Sequence, residues 1–241
     1  MCISILNFYL THHEKNHSHH FKPVITVKFT AAQTCDQFIN SSSGKKFVYA
    51  NLDAKGNKAG TLSYSAVKKD ASTLTFHSEV SDKNGKLVGS GDFDMMCNGA
   101  AVKIDMKSFI PAASAKQFNN MQMEGDGKYL TYPLNLKPGD KLEDGTAIIT
   151  VNNNGSKFSE LQIELTNRTV EAKETVQTNA GTFDCFKITY NSLFKAKIMG
   201  IAIPINMTVT EWFSPKLGRF VKSETYRKDK LAGSMMLESI N

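Results

Sequence analysis

The sequence predicts an all-β fold: an antiparallel meander that closes into a β-barrel or curls into a half-barrel, with one short helix. Three observations carry this. From Lys45 onward apolar residues alternate with polar ones, the period of a half-buried strand and not of a helix. Clusters of turn residues follow each alternating run at close, regular spacing. Asn84-Gly85 and Asn98-Gly99 are hairpin dipeptides, because both central residues of a type I′ turn need a positive φ.

Taken in order, strands are expected at 46–53, 60–67, 73–80, 87–95 and 101–106, with turn clusters after each. The exception comes next. Pro111 suits a first helical turn and the alanines after it favour helix, so the short helix is placed from Pro111 to Phe118. Strands at 129–132, 147–152, 158–167, 168–177, 183–193, 202–213, 219–226 and 234–240 complete the meander. A weak internal echo sets Asp53-x-x-Gly56-x-x-x-Gly60-Thr61 against Asp82-x-x-Gly85-x-x-x-Gly89-Ser90, and Lys86-Leu-Val-Gly89-Ser90 recurs as Lys230-Leu-Ala-Gly233-Ser234. It reads as hairpin punctuation: an early turn glycine, then a later one where the strand bulges.

At 241 residues the chain admits a single large β-domain, and 41% hydrophobic with 22% charged residues excludes a disordered or fibrous one. No run approaches the roughly 18 to 20 apolar residues of a membrane-spanning helix. The net charge of +6 is almost all lysine. Arg168, Arg219 and Arg227 are the only arginines, and arginine is the residue of bidentate phosphate and base recognition, so no nucleic-acid partner is expected.

Residues 1–32 form a separate segment, a disordered His-rich leader or a degenerate signal segment, and 33–241 form the β-domain. Five of the six histidines lie in the leader, at His12, His13, His17, His19 and His20, with no apolar period or turn chemistry to hold them as a metal site. Lys22 and Lys28 bracket Val24-Ile25-Thr26-Val27, and Ala31-Ala32-Gln33 has the look of a signal-peptide cleavage site. This places the chain outside the cytoplasm, in the periplasm or cell envelope. Cutting there leaves three cysteines, an odd count that permits one disulfide. Cys35 and Cys97 are paired, since both stand at strand edges beside turn residues, whereas Cys185 lies inside a strand and stays free.

Catalytic chemistry is sparse. Beyond the leader His77 is alone, on a strand face with Thr75 and Glu79. Cys185 has no evident activator, and the carboxylate pairs fall mostly in Gly-rich turns, where aspartate is expected for turn chemistry. No catalytic residues, cofactor or metal site are assigned, and the chain is not expected to be an enzyme. The unusual feature is ten methionines and fifteen phenylalanines, many of them on strands. In a barrel with room inside, such adaptable side chains would line an apolar cavity. Phe76, Met95, Met106, Ile188, Met207 and Trp212 are the ligand-lining candidates, with Trp212 expected where the interior meets a rim.

Asn179-Ala-Gly-Thr-Phe-Asp-Cys-Phe-Lys-Ile-Thr-Tyr190, Glu211-Trp-Phe-Ser-Pro-Lys-Leu-Gly-Arg-Phe-Val-Lys-Ser-Glu224 and the hairpins ending in Lys-Leu-x-Gly-Ser resemble the TapB-like family of exported bacterial proteins. The resemblance runs from Cys35 to Asn241. It implies an envelope β-barrel of lipoprotein-carrier-like shape with no established catalysis, and it brings no site residues. Three functions follow in order: an exported module holding a hydrophobic small molecule or lipid; an envelope interaction or structural protein with a side-chain-filled barrel and a protein partner; and an uncharacterised enzyme.

Overall fold

The computed structural model of the chain describes residues 35–110, 122–125, 128–153, 155–198 and 201–241. The expected leader with its histidines and the expected helix Pro111 to Phe118 lie outside them. The described fold starts with α1 (Cys35–Ser42) and continues through β1 (Lys46–Asp53), β2 (Lys58–Lys68), β3 (Thr73–Asp82), β4 (Leu87–Cys97) and β5 (Ala101–Asp105). A 3-10 turn, Met106–Phe109, precedes β6 (Gln122–Gly125), β7 (Tyr129–Pro133) and β8 (Gly145–Asn153). The chain ends with β9 (Ser156–Thr178), β10 (Gly181–Ile198), β11 (Ile201–Ser214), β12 (Arg219–Arg227) and β13 (Lys230–Ile240). All thirteen strands form one antiparallel sheet in the order β6-β8-β9-β10-β11-β12-β13-β1-β2-β3-β4-β5-β7.

The alternation that predicts the strands also sets the curl. On β8, Ala147, Ile149 and Val151 are buried while Thr146, Ile148 and Thr150 are not, and on β9 Leu161, Ile163 and Leu165 continue the same apolar side. A sheet with one apolar face buries it by bending round it. The bend brings distant strands together: Tyr132 of β7 stacks on Phe213 of β11 with ring centres 4.5 Å apart, and Arg168 of β9 donates to the Thr131 carbonyl of β7 at 3.2 Å. A Cβ added to Gly145, at the start of β8, would lie 2.6 Å from Leu130 of β7 and 3.0 Å from Met106. The half-barrel therefore curls until one edge meets the region of the other. β6 and β7 stand at opposite ends of the hydrogen-bonded order, so side chains close the seam, helped by the segment after β7, where Gly139 N–H donates to the Val170 carbonyl, Val170 N–H to that of Asp140 and Leu142 N–H to that of Arg168.

Two local expectations are corrected. The runs 158–167 and 168–177 are one strand, β9, because Asn167 adopts φ 57 and makes a bulge in place of a turn. The burial rhythm slips by one there, from Leu165 to Arg168 and Val170. Asn84 and Asn98 are not at positive φ; in each Asn-Gly pair only the glycine is, with Gly85 at φ 81 and Gly99 at φ 79. At the first of these, Gly85 N–H donates to the Asp82 carbonyl at 3.0 Å, and the Asp82 carboxylate accepts from Asn84 and Lys86 N–H, so the hairpin is a capped turn closed by a left-handed glycine. Two consecutive positive φ values occur instead at Lys228 (φ 50) and Asp229 (φ 61), between β12 and β13. The internal echo has the expected meaning: Asp53 caps its turn as Asp82 does, and a Cβ on Gly60 would strike the Ser81 carbonyl at 2.2 Å.

Cys35 opens helix α1 and does not stand at a strand edge. Its apolar residues Phe38 and Ile39 are 0% and 1% exposed, and Cys35 is joined to Cys97 at the end of β4. Burial of two such side chains contributes about 1.5 to 3 kcal/mol each, enough to hold a helix with few strong helix formers in its sequence.

Candidate functional site

The concave face is the site that the fold offers. Phe76, Met95, Met106 and Ile188 are all 1% exposed or less and share one continuous apolar cluster with rings from many strands. Phe76 stacks on Phe93 with centres 5.5 Å apart, and Tyr64 meets Phe93 edge-on at 5.5 Å. Met106 sits at the seam, in contact range of Gly145 beside Leu130. Met207 is half-buried on the stretch of β11 that runs past the end of β12, paired with Ser192. Ser192 pairs in turn with buried Leu165, which places Met207 on the concave side.

Trp212 is also buried, at 7% exposed, and joins the same cluster, but from the other face of the sheet. Ile188 faces Glu211 across the β10–β11 ladder, so Trp212, facing Lys187, projects from the convex side. Its Nε1–H donates to Glu174 at 2.8 Å, and the ammonium groups of Lys187 and Lys222 lie 5.7 and 4.2 Å from its ring centre. Alternation counted along one strand could not choose the face; the partner residues on β10 do.

Two of the three arginines are inside. Arg168 is 1% exposed, donates from Nη1 to the carbonyls of Thr131 and Glu143 at 3.2 and 2.7 Å, and lies over the Tyr132 ring at 4.6 Å. In the same core Glu211 accepts from the Tyr190 hydroxyl at 3.2 Å, and burial holds its carboxyl above the usual range despite the opposing pull of Tyr132, Arg168 and Tyr190. Arg219 is 5% exposed, with its guanidinium carbon 4.3, 4.6 and 4.5 Å from the ring centres of Phe47, Tyr64 and Phe76. In the sequence these arginines speak only against a nucleic-acid partner. The signal available was the choice itself: in a chain this rich in lysine, arginine is kept where a planar, weakly hydrated cation must stack on rings.

The remaining reactive groups are not gathered into a centre. His77 Nδ1 lies 2.6 Å from Asp92 on an open face, and Asp94 is taken by Lys69 and Thr75. Cys185 is buried, and that burial, with Asp184 and Glu174 adding to it, pushes its thiol up to about 12, so it stays protonated at neutral pH. Among the described residues no group of three or more His, Cys, Asp or Glu could hold a metal ion. A shallow groove of about 580 Å³ crosses β9 to β12, with Thr166, Asn191, Asn206, Thr208 and Tyr226 among its walls. No described helix is long and apolar enough to cross a membrane.

Two crystal structures share the architecture. A protein described as exported and of YmcC-like fold, from Bacteroides fragilis, superposes with TM-score 0.67 at 24% identity over 83% of this chain and 96% of its own. A protein described as a lipoprotein, from Parabacteroides distasonis, gives TM-score 0.67 at 22% identity over 83% and 95% of the two chains. No curated protein matches the sequence significantly. Residues 42–237, which include both long segments of the TapB-like resemblance, match a family profile across most of the strands described above, and the chain belongs to the DUF3108-like family.

Proposed function

We propose that the chain is a non-catalytic protein of the cell envelope that binds a hydrophobic ligand, a lipid or a small apolar molecule, against the concave face of its half-barrel. The observation that carries this reading is the seam. The apolar interior is closed there by Met106, Leu130 and Gly145 without a ladder between β6 and β7, so opening it costs side-chain contacts and a few hydrogen bonds, those of Arg168 to the Thr131 and Glu143 carbonyls among them, in place of a full strand pairing. Methionine repacks around varied shapes, and Met95 with Met106 makes the enclosed surface adaptable. The envelope location rests on the exported protein and lipoprotein that share the fold, together with the signal-like segment, and a TapB-like affiliation within the family is part of the same reading. The fully buried, protonated Cys185 and the half-exposed His77 support the absence of catalysis.

Displacement of a fluorescent fatty-acid probe tests the reading. Wild type is expected to bind the probe, and Met207→Lys, a charge on the half-buried end of the concave face, is expected to weaken it at least about tenfold while leaving the circular dichroism spectrum unchanged. Equal binding by the folded variant would remove the concave face as the site. A second reading, an envelope interaction protein with a filled interior, draws on a different observation. Among the described residues the part of β11 before Thr208 has no partner on its β12 side, and it exposes Ile201 and Ile203 at 69% and 53%. Absence of probe binding to folded wild type would favour it.

A further inference from the structure

Arg219 is a buried cation without an anion. Its Nε and Nη1 have no hydrogen-bond partner, and among the described residues no carboxylate pairs with it. Its position is enforced from two sides. The turn before β12 ends at Gly218, whose φ of 62 a side chain rarely adopts, and the Phe38 ring of α1 occupies the place where a Cβ would stand, 2.4 Å away. With the turn clamped under α1, the first residue of β12 swings across to β1, β2 and β3 and lodges among Phe47, Tyr64 and Phe76. Arg168 is the internal comparison. It too lies on a ring and its Nε and Nη2 are also unpartnered, yet its Nη1 has two carbonyl acceptors and it shares its core with Glu211, whereas among the described residues Arg219 has neither. Ring faces attract the charge of Arg219 but leave its in-plane N–H groups unmet, and a guanidinium taken out of water calls for acceptors that lie in that plane.

We propose that Arg219 is the anion-binding end of the interior and that its ligand is an amphiphile with a carboxylate or phosphate headgroup. The headgroup oxygens accept from the free Arg219 N–H groups, a geometry that the planar fork matches, and the apolar chain runs along the concave face by Phe76 and Met95. The proposal rests on the reading of the interior as a ligand site and adds a charge selectivity that a purely apolar lumen lacks.

The test uses the full chain with three probes, oleic acid, oleyl alcohol and inorganic phosphate, and two variants. Arg219→Met removes the charge at similar volume; Arg219→Lys keeps the charge and loses the fork. Wild type is expected to bind the acid at least about tenfold more tightly than the alcohol, and Arg219→Met to bind the two about equally. Arg219→Lys, which preserves the balance of charge if the methionine variant does not fold, is expected to bind the acid more weakly than wild type. Equal affinity of wild type for acid and alcohol, or wild-type affinity for the acid in both variants, overturns the assignment. If phosphate raises the melting temperature of wild type but not of the variants, and neither amphiphile binds, the anion site stands and the lipid reading falls. Binding of none of the three removes both.

Discussion

Glu211 shows how one residue can cost stability at neutral pH. It is buried with Oε1 unpartnered, and burial holds its folded-state carboxyl above the ordinary value of 4.5. Between that value and the raised one the native state binds more protons than the unfolded chain, so stability falls as pH rises through the window; below 4.5 both states are protonated and the effect vanishes. Surface carboxylates lowered by their partners, such as Glu79 beside Lys46 and Asp94 beside Lys69, act in the opposite sense. The difference between wild type and Glu211→Gln isolates the buried group. The variant is expected to match wild type below about pH 4 and to melt higher near pH 7, because a neutral amide stands in for the protonated acid. Thermal melts from pH 3 to 8 check it, and a variant that melts lower at pH 7 would show that ionised Glu211 stabilises the core through Arg168. The ordinary polar residues were legible from the sequence: the face shared by Thr75, His77 and Glu79 is the open one, with Asp94, Asp92 and Lys46 as partners. Buried Glu211 and Arg219 were not, since a charge in a strand reads as a surface residue until the opposite strand is known.

At the scale of elements, what could be read was whatever depends on period and turn chemistry. The strands from Lys46 onward follow alternation, and the Asp-Gly turns follow from aspartate accepting N–H groups two and four residues on. What could not be read depends on tertiary partners. The bulge at Asn167 looked like a turn because asparagine tolerates a left-handed conformation in either setting, and α1 forms because Phe38 and Ile39 find the core and Cys35 finds Cys97. The helix is consequently the element most dependent on its crosslink. With 62 residues of separation, loss of the disulfide is expected to cost roughly 4 kcal/mol through the freedom regained by the unfolded chain. Urea denaturation with and without reductant measures this as a lower midpoint at an unchanged position of the β-sheet signal. An identical midpoint under the two conditions would mean that α1 and β4 are held by packing alone.

For the whole molecule the decisive property is that the thirteen described strands form an open order curled shut without a ladder between its two end strands. Strand β6 offers four residues and β7 five at the two ends of that order, whereas β9 and β10 pair along most of their 23 and 18 residues. Opening free energies in such a sheet are graded: short terminal strands detach at little cost, and strands paired on both sides exchange only through larger openings. Native-state hydrogen exchange should therefore find β7 and β6 least protected, and β13 and β1, in the middle of the order, among the most. Seam opening releases Tyr132 from Phe213 and Arg168 from the Thr131 carbonyl, so amides of β7 should exchange together as one unit, before β11 and β9. Ligand binding to the concave face adds contacts across the seam and is expected to slow β7 at least about tenfold while leaving the exposed β12–β13 turn unchanged. If β7 proves as protected as β13 in the free protein, the seam is a permanent wall, and a ligand would have to enter by another route.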